Sequence, residues 1–193
     1  MWRLAVFLIV AAAALTGCGP MFESEYTGPA EGDYGYGTPN ELGTLLERRD
    51  AEDVLADRDR MIDEITTELS GIVPGSRWLP HRDERSTHCG DFGSTDGTIY
   101  FGRNYVSEVP VSAALWPQAS QAVIDIAARY GYTDITSRTV NATDDTAKDL
   151  TIRDQNAGRV AFGSMVAATL QVTTGCYLTA EQKRQAREAA PPG

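Results

Sequence analysis

The chain of 193 residues contains only three cysteines and two histidines. So few cysteines exclude the dense disulfide framework of a small secreted scaffold, and no close C-x2-C pair is present to hold zinc. Positive charge is also scarce, with 17 basic against 27 acidic residues and a net charge of −10, which argues against a nucleic-acid partner. After the N-terminal segment no apolar run approaches the length of a membrane span. Catalytic signatures are missing as well. Gly93-Ser94-Thr95-Asp96-Gly97 places serine directly after the first glycine, so it is not a nucleophile elbow. There is no phosphate loop and no H-E-x-x-H pair, and Gly90, Gly93 and Gly97 do not match a dinucleotide fingerprint. Asp144-Asp145 lacks the spaced acids and glycine of a calcium loop and reads as a solvated tip. These absences lead us to expect no cofactor and no metal.

What is present begins at the N-terminus. Arg3 precedes Leu4-Ala5-Val6-Phe7-Leu8-Ile9-Val10 and four alanines, the layout of a secretory signal peptide over residues 1–17. Leu15-Thr16-Gly17-Cys18 follows at the end of the apolar run and resembles the lipobox of bacterial lipoproteins. In such proteins the cysteine thiol receives a diacylglycerol and the signal is cut before it. The resemblance implies a lipidated Cys18, anchorage to the cell membrane through acyl chains, and a domain on the extracytoplasmic side. Two cysteines then remain, Cys89 and Cys176, in a compartment that permits disulfides. An even pair reads as one bridge, closing a loop worth about 4 kcal/mol on a chain-entropy estimate. The competing reading is a metal site using His81 or His88 beside Cys89.

Residues 18–37 carry five glycines, two prolines and several acids, a composition that cannot bury a core, and read as a lipidated flexible tether. Thr38-Pro39-Asn40-Glu41 looks like a helix start, with Leu42, Leu45 and Leu46 following on one face. Leu55, Ile62, Ile65, Leu69 and Ile72 recur at helical spacing up to Gly71 and Pro74. From Arg77 the period becomes two. Strands are expected over 77–92 and 98–106, then a helix over 112–130 with Leu115, Ala119, Ala122, Val123, Ile126 and Tyr130 in one stripe. Pro117 marks its start and Gly131 its stop. Further strands are expected over 132–140, 147–154 and 159–174. In the last, Val160, Phe162, Val166, Ala168, Leu170 and Val172 share a parity, so one long strand presents a continuous apolar face to helix 112–130. The tail 179–193 is polar and expected to fray. Together these elements predict an α+β domain over 38–178. It is a two-layer sandwich in which an antiparallel sheet of about five strands is covered by two amphipathic helices.

Charge is uneven along the chain. Residues 18–73 hold 14 acids and 4 basic residues, whereas residues 74–193 hold 13 and 12. An acidic helix face is ordinarily just solvated, and it would also repel an anionic membrane. In the central segment Trp78, Tyr100, Phe101, Tyr105 and Trp116 lie beside Arg77, Arg82, Arg85 and Arg103. From these, Trp78, Arg82, Arg85, Tyr100 and Arg103 are the candidate ligand-binding set, an aromatic floor edged by arginine that suits a sugar, an anion or a lipid head group. The same rings could equally be core between helix and sheet. The lipobox, the polar spacer, the acidic helix before Trp78, Cys89-Gly90 and the closing Thr174-Gly175-Cys176-Tyr177 together resemble the LppA-like lipoproteins of mycobacteria and their relatives. That resemblance covers residues 18–178. It implies a membrane-anchored envelope protein and transfers no catalytic residue. The leading expectation is therefore a non-enzymatic envelope lipoprotein that binds an envelope lipid, glycan or protein. The alternative is an envelope hydrolase using Asp83, Glu84 or Asp91 as acid-base.

Overall fold

A computed structural model of the chain describes residues 41–92 and 95–189, apart from the side chain of Asp91. The signal peptide, Cys18, the tether, the capping residues Thr38 to Asn40 and the turn residues Gly93 and Ser94 lie outside the described residues. Helix α1 spans Glu41–Glu47 and α2 spans Ala51–Ile72. Strands β1 (Leu79–Arg82) and β2 (Arg85–His88) lead through a short 3-10 turn to β3 (Thr98–Phe101) and β4 (Asn104–Ser107). Helix α3 (Trp116–Arg129) follows, then β5 (Asp134–Arg138), β6 (Lys148–Arg153), β7 (Arg159–Ser164), β8 (Ala168–Tyr177) and α4 (Ala180–Ala189).

All eight strands form one antiparallel sheet, larger than the expectation of about five. The difference has two causes. The strands expected over 77–92 and 98–106 each break in the middle, so β1 and β2 lie end to end along β4 and β3, and those two lie along β8. The strand expected over 159–174 is a hairpin: Ser164 pairs with Ala168 across Met165, Val166 and Ala167. A turn of three residues returns the chain with its parity unchanged, since Phe162 faces Leu170 and Val160 faces Val172. The even-numbered apolar face therefore survives the reversal, which is why the pattern reads as one strand.

Val166 is the exception on that face. It sits at the hairpin tip and is 84% exposed, so the expectation that it packs under helix 112–130 is corrected. Val166→Asp should shift the unfolding free energy by less than about 0.5 kcal/mol in a thermal or urea melt, as exposed substitutions do. The rest of the stripe is buried as expected. Val160, Phe162, Ala168, Leu170 and Val172 meet Trp116, Ala119, Val123 and Ile126 of α3 and Met61, Ile62, Ile65 and Leu69 of α2. The Trp116 ring stacks on Phe162 at 5.1 Å between centroids, and its indole N–H donates to Thr139 O at 2.8 Å. Both helices thus lie on one face of the sheet.

A second, smaller core joins Leu45 of α1 to Cys89, Phe92, Cys176 and Leu178. Cys89 and Cys176 are bonded, with their Cα atoms 6.0 Å apart, within the reach a disulfide requires. Where a frayed polar tail was expected, α4 forms and docks. Gln182 N–H donates to Thr179 Oγ1 and Thr179 N–H to Gln182 Oε1, a reciprocal cap over the first turn. The buried Lys183 ammonium reaches Asp50 at 2.7 Å and the Arg48 carbonyl. Polar composition therefore did not prevent docking, because one lysine found acceptors on the segment joining α1 to α2.

Candidate functional site

Where both two-segment strands break, α2 sends Arg58 into the gap. Arg58 is 5% exposed; its Nε and Nη2 donate to Asp59 at 2.9 and 2.7 Å, and Nη2 donates to Glu84 at 2.5 Å. Glu84 lies between β1 and β2, and Gly102 lies opposite, between β3 and β4. A Cβ on Gly102 would stand 2.6 Å from Val172 O and 3.4 Å from Arg58 Cδ, so only glycine lets β8 and the arginine stem close on this point. A cleft of about 300 Å³ opens beside the ion pair, bordered by Asp59, Ile62, Glu84, Arg103 and Tyr105. Only the cation is buried here, its carboxylate partners being exposed, so Asp59 and Glu84 satisfy a charge that would be costly to leave unpaired.

On another side of Arg58 lies a smaller cavity of about 140 Å³, shared by Arg49, Asp57, Tyr132, Asp154, Asn156 and Tyr177. Asp154 Oδ1 accepts from Asn156 N at 2.9 Å and Gly158 N at 2.6 Å, tying the turn between β6 and β7. Burial pushes the Asp154 carboxyl up, against these hydrogen bonds, and pushes the Tyr132 phenol far up. Burial, then the nearby Asp154 charge, likewise raises Tyr177, whose hydroxyl accepts from Asn156 Nδ2 at 2.9 Å. At about 30 Å³ per water, this cavity has room for only a few water molecules. It falls well below the roughly 300–1,000 Å³ of small-molecule sites.

The space of ligand size is elsewhere. On the outer side of the helices, an open groove of about 790 Å³ runs between α2 and α3. Its floor is Ile72, Ala122 and Ile126, and its rim carries Asp63, Glu64, Glu68 and Asp125 with the single cation Arg129. Arg129 is ion-paired with Glu64, which also accepts from the Tyr130 hydroxyl at 2.6 Å. The Tyr130 hydrogen bond, then Arg129, hold the Glu64 carboxyl below its usual range. Asp125 accepts from Gln121 at 2.8 Å. An apolar floor under a carboxylate rim can receive a basic, amphipathic segment.

The candidate set named from sequence does not converge. Trp78 leans on Phe162 at 6.3 Å and belongs to the edge of the main core, and Trp116 is inside it. Tyr100 is half-buried, and burial raises its hydroxyl. Arg82 and Arg85 are exposed on different segments, and only Arg103 joins the Arg58 cleft. A single aromatic floor edged by arginine therefore does not form, because alternate strand residues point to opposite faces. Of the acid-base candidates, Glu84 is engaged by Arg58, Asp83 is exposed, and the Asp91 side chain lies outside the described residues. Among the described residues no group of three or more His, Cys, Asp or Glu side chains could hold a metal. The helix groove was missed from sequence, although the excess of acid in α2 was its visible sign.

A family model described as "Lipoprotein confined to pathogenic Mycobacterium", LppA, matches residues 38–180. The chain belongs to the LppA family. The crystal structure of the lipoprotein LppA from Mycobacterium tuberculosis is similar in fold, with a TM-score of 0.56 and 17% identity over 78% of this chain and 91% of that one. A DUF4853 family protein from Actinomyces odontolyticus shares the fold at a TM-score of 0.53 and 14% identity, over 70% of this chain and 73% of that one. Among curated proteins none matches. The family model thus covers both helices of the groove, all eight strands and both bonded cysteines. It places the protein among lipoproteins, and among the described residues no helix is long and apolar enough to cross a membrane.

Proposed function

We propose that the protein is a lipid-anchored envelope protein, acylated on Cys18, with a non-catalytic domain on the extracytoplasmic side. That domain holds a basic segment of an envelope partner in the groove between α2 and α3. Membership of a lipoprotein family and the sequence Leu15-Thr16-Gly17-Cys18 support the anchor. The groove carries the binding reading: among the described residues it joins ligand-sized volume and an apolar floor to a rim of four carboxylates against one arginine. Carboxylates of that rim attract a basic partner over about 8–10 Å at physiological salt, and the floor rewards its apolar face.

Two experiments test the two halves separately. Cys18→Ala should move the protein from the detergent phase to the aqueous phase or leave it unprocessed. Unchanged partitioning with unchanged mature mass would refute the anchor. For the groove, fluorescence anisotropy with a lysine-rich amphipathic helical peptide should detect binding that weakens about tenfold in Asp63→Lys/Glu68→Lys, as loss of opposed charge predicts. Equal affinity in wild type and variant would refute the groove.

A further inference from the structure

The face of the sheet turned away from α2 and α3 carries a row of residues that no single stretch of sequence contains. Register places Asp134 opposite Arg153, Arg153 opposite Arg159, Arg159 opposite Thr173, Thr173 opposite Phe101, and Phe101 opposite Arg85. Directly opposed residues share a face, and these alternate with the core residues Ile152, Val160 and Val172. The row therefore lies on the side turned away from α2 and α3. It holds three arginines and one aromatic ring against a single acid, spread over about 24 Å at 4.8 Å per strand. Arg153 and Arg159 face one another directly, an arrangement of like charges that costs stability in a sheet. Arg85 and Arg159 are exposed and have no ion-pair partner among the described residues.

The opposite layer has the opposite sign. Helix α2 carries seven acids and two arginines along its length. The domain is thus electrically two-faced across its thickness, although its total charge is strongly negative. Helix α1 reaches the arginine side through Leu45. Ile99 points the same way as Phe101, two residues on, and packs against the small core that contains Leu45 of α1. From Cys18 to Asn40 there are 23 residues, whose fully extended reach is at most about 80 Å.

We infer that this row is a docking surface for an anionic phospholipid bilayer, which the domain lies against with α2 and its groove turned outward. The inference rests on the Cys18 anchor proposed above for the domain's confinement near a membrane, and on charge complementarity for its orientation. Arginines within a Debye length of anionic head groups are attracted, whereas the acids of α2 are repelled from the same surface. Phe101 lies among the arginines and can sit at head-group level. A surface acting through charge in this way loses its grip at high salt.

The test uses a protein that cannot be lipidated, so that the anchor and the face are read separately. Both cores lie within residues 45–178, so a chain made without residues 1–17 and carrying Cys18→Ser retains the fold. It should co-sediment with vesicles of phosphatidylcholine and phosphatidylglycerol in equal parts, and far less with phosphatidylcholine alone or at high salt. Arg85→Glu/Arg159→Glu should lower that binding by about tenfold or more, since each arginine near an anionic surface is worth several-fold. Arg60→Glu/Arg129→Glu, which makes the same change of charge on the helix side, should leave it within about twofold. Coincident thermal melts show that the exposed substitutions leave the fold intact. Equal binding to neutral vesicles, or equal loss from both double variants, overturns the proposal. So does capture by a soluble anionic glycan without capture by vesicles. A failure of Cys18→Ala to release the full protein would strike the anchor alone.

Discussion

Replacing Cys89 and Cys176 together by serine lowers the stability of the folded domain by about 2–5 kcal/mol. The bridge spans a sequence separation of 87 residues, long enough for cross-linking to remove much of the unfolded chain's freedom. Both sulfurs are fully buried with Leu45, Phe92 and Leu178 in the smaller core, so the serines would also bring two hydroxyls into an apolar site. The sequence separation alone indicates that the loss is global. Location adds a local effect, because this core is where α1 meets the end of β8, and α1 and α4 should exchange amide hydrogens faster. For a domain of this size a loss of about 4 kcal/mol lowers the melting temperature by about 10 °C. Calorimetry of oxidised wild type against the double variant decides it. A coincident transition would show that the bridge contributes nothing.

The second large effect comes from a position with no side chain at all. Gly175→Ala would place a Cβ 1.9 Å from the Asn156 carbonyl oxygen and 2.8 Å from its carbonyl carbon. These are backbone atoms, so no rotamer change can relieve the overlap. Asn156 cannot step aside cheaply either. Its N–H is bonded to the largely buried Asp154, its side chain donates to Tyr177, and the following Ala157 already holds φ at 65°. The expected loss is about 3 kcal/mol or more, the upper end of overpacking costs. Gly71→Ala is the matched comparison: it sits in the last turn of α2 with nothing within 4 Å of the new Cβ. There alanine should be neutral or should stabilise by up to about 1 kcal/mol through helix propensity. Urea melts of the two variants should move in opposite directions or differ by several kcal/mol. Similar midpoints would mean that the turn between β6 and β7 does not press on Gly175.

Much of the helix layer was legible from residue spacing. The α2 stripe at Ile62, Ile65 and Leu69 and the α3 stripe at Ala119, Val123 and Ile126 are buried as their period requires. Pro117 falls in the first turn of α3, and Gly131 stands just beyond Tyr130 with φ at 89°. The cysteine pair followed from counting, once Cys18 was assigned to an anchor. The candidate site was much less legible. Aromatic and arginine residues close in sequence were expected to meet in space, but a strand sends neighbours to opposite faces, and Trp78 and Trp116 were taken into the core. The acid excess of α2 was seen and set aside as a solvated face. Only the packing of α3 beside it turns that face into the rim of a groove.

The sequence alone determined the likeness to an exported lipoprotein, the α+β class, the two covering helices and which residues along β7 and β8 point inward. Each of these depends on local order: a motif, a composition, or a period of two or of 3.6. Tertiary structure decided where the strands end and what they lie beside. Parity cannot reveal the reversal at Met165 to Ala167, because a turn of three residues leaves every later residue on the side where an unbroken strand would place it. Nor can it reveal the breaks around Arg58, which depend on Glu84, Gly102 and Val172 meeting one helix residue. The arginine row is the clearest case. Its members come from six strands, and only the cross-strand register, set by burial of the opposite face, brings Arg85, Arg153 and Arg159 into one line.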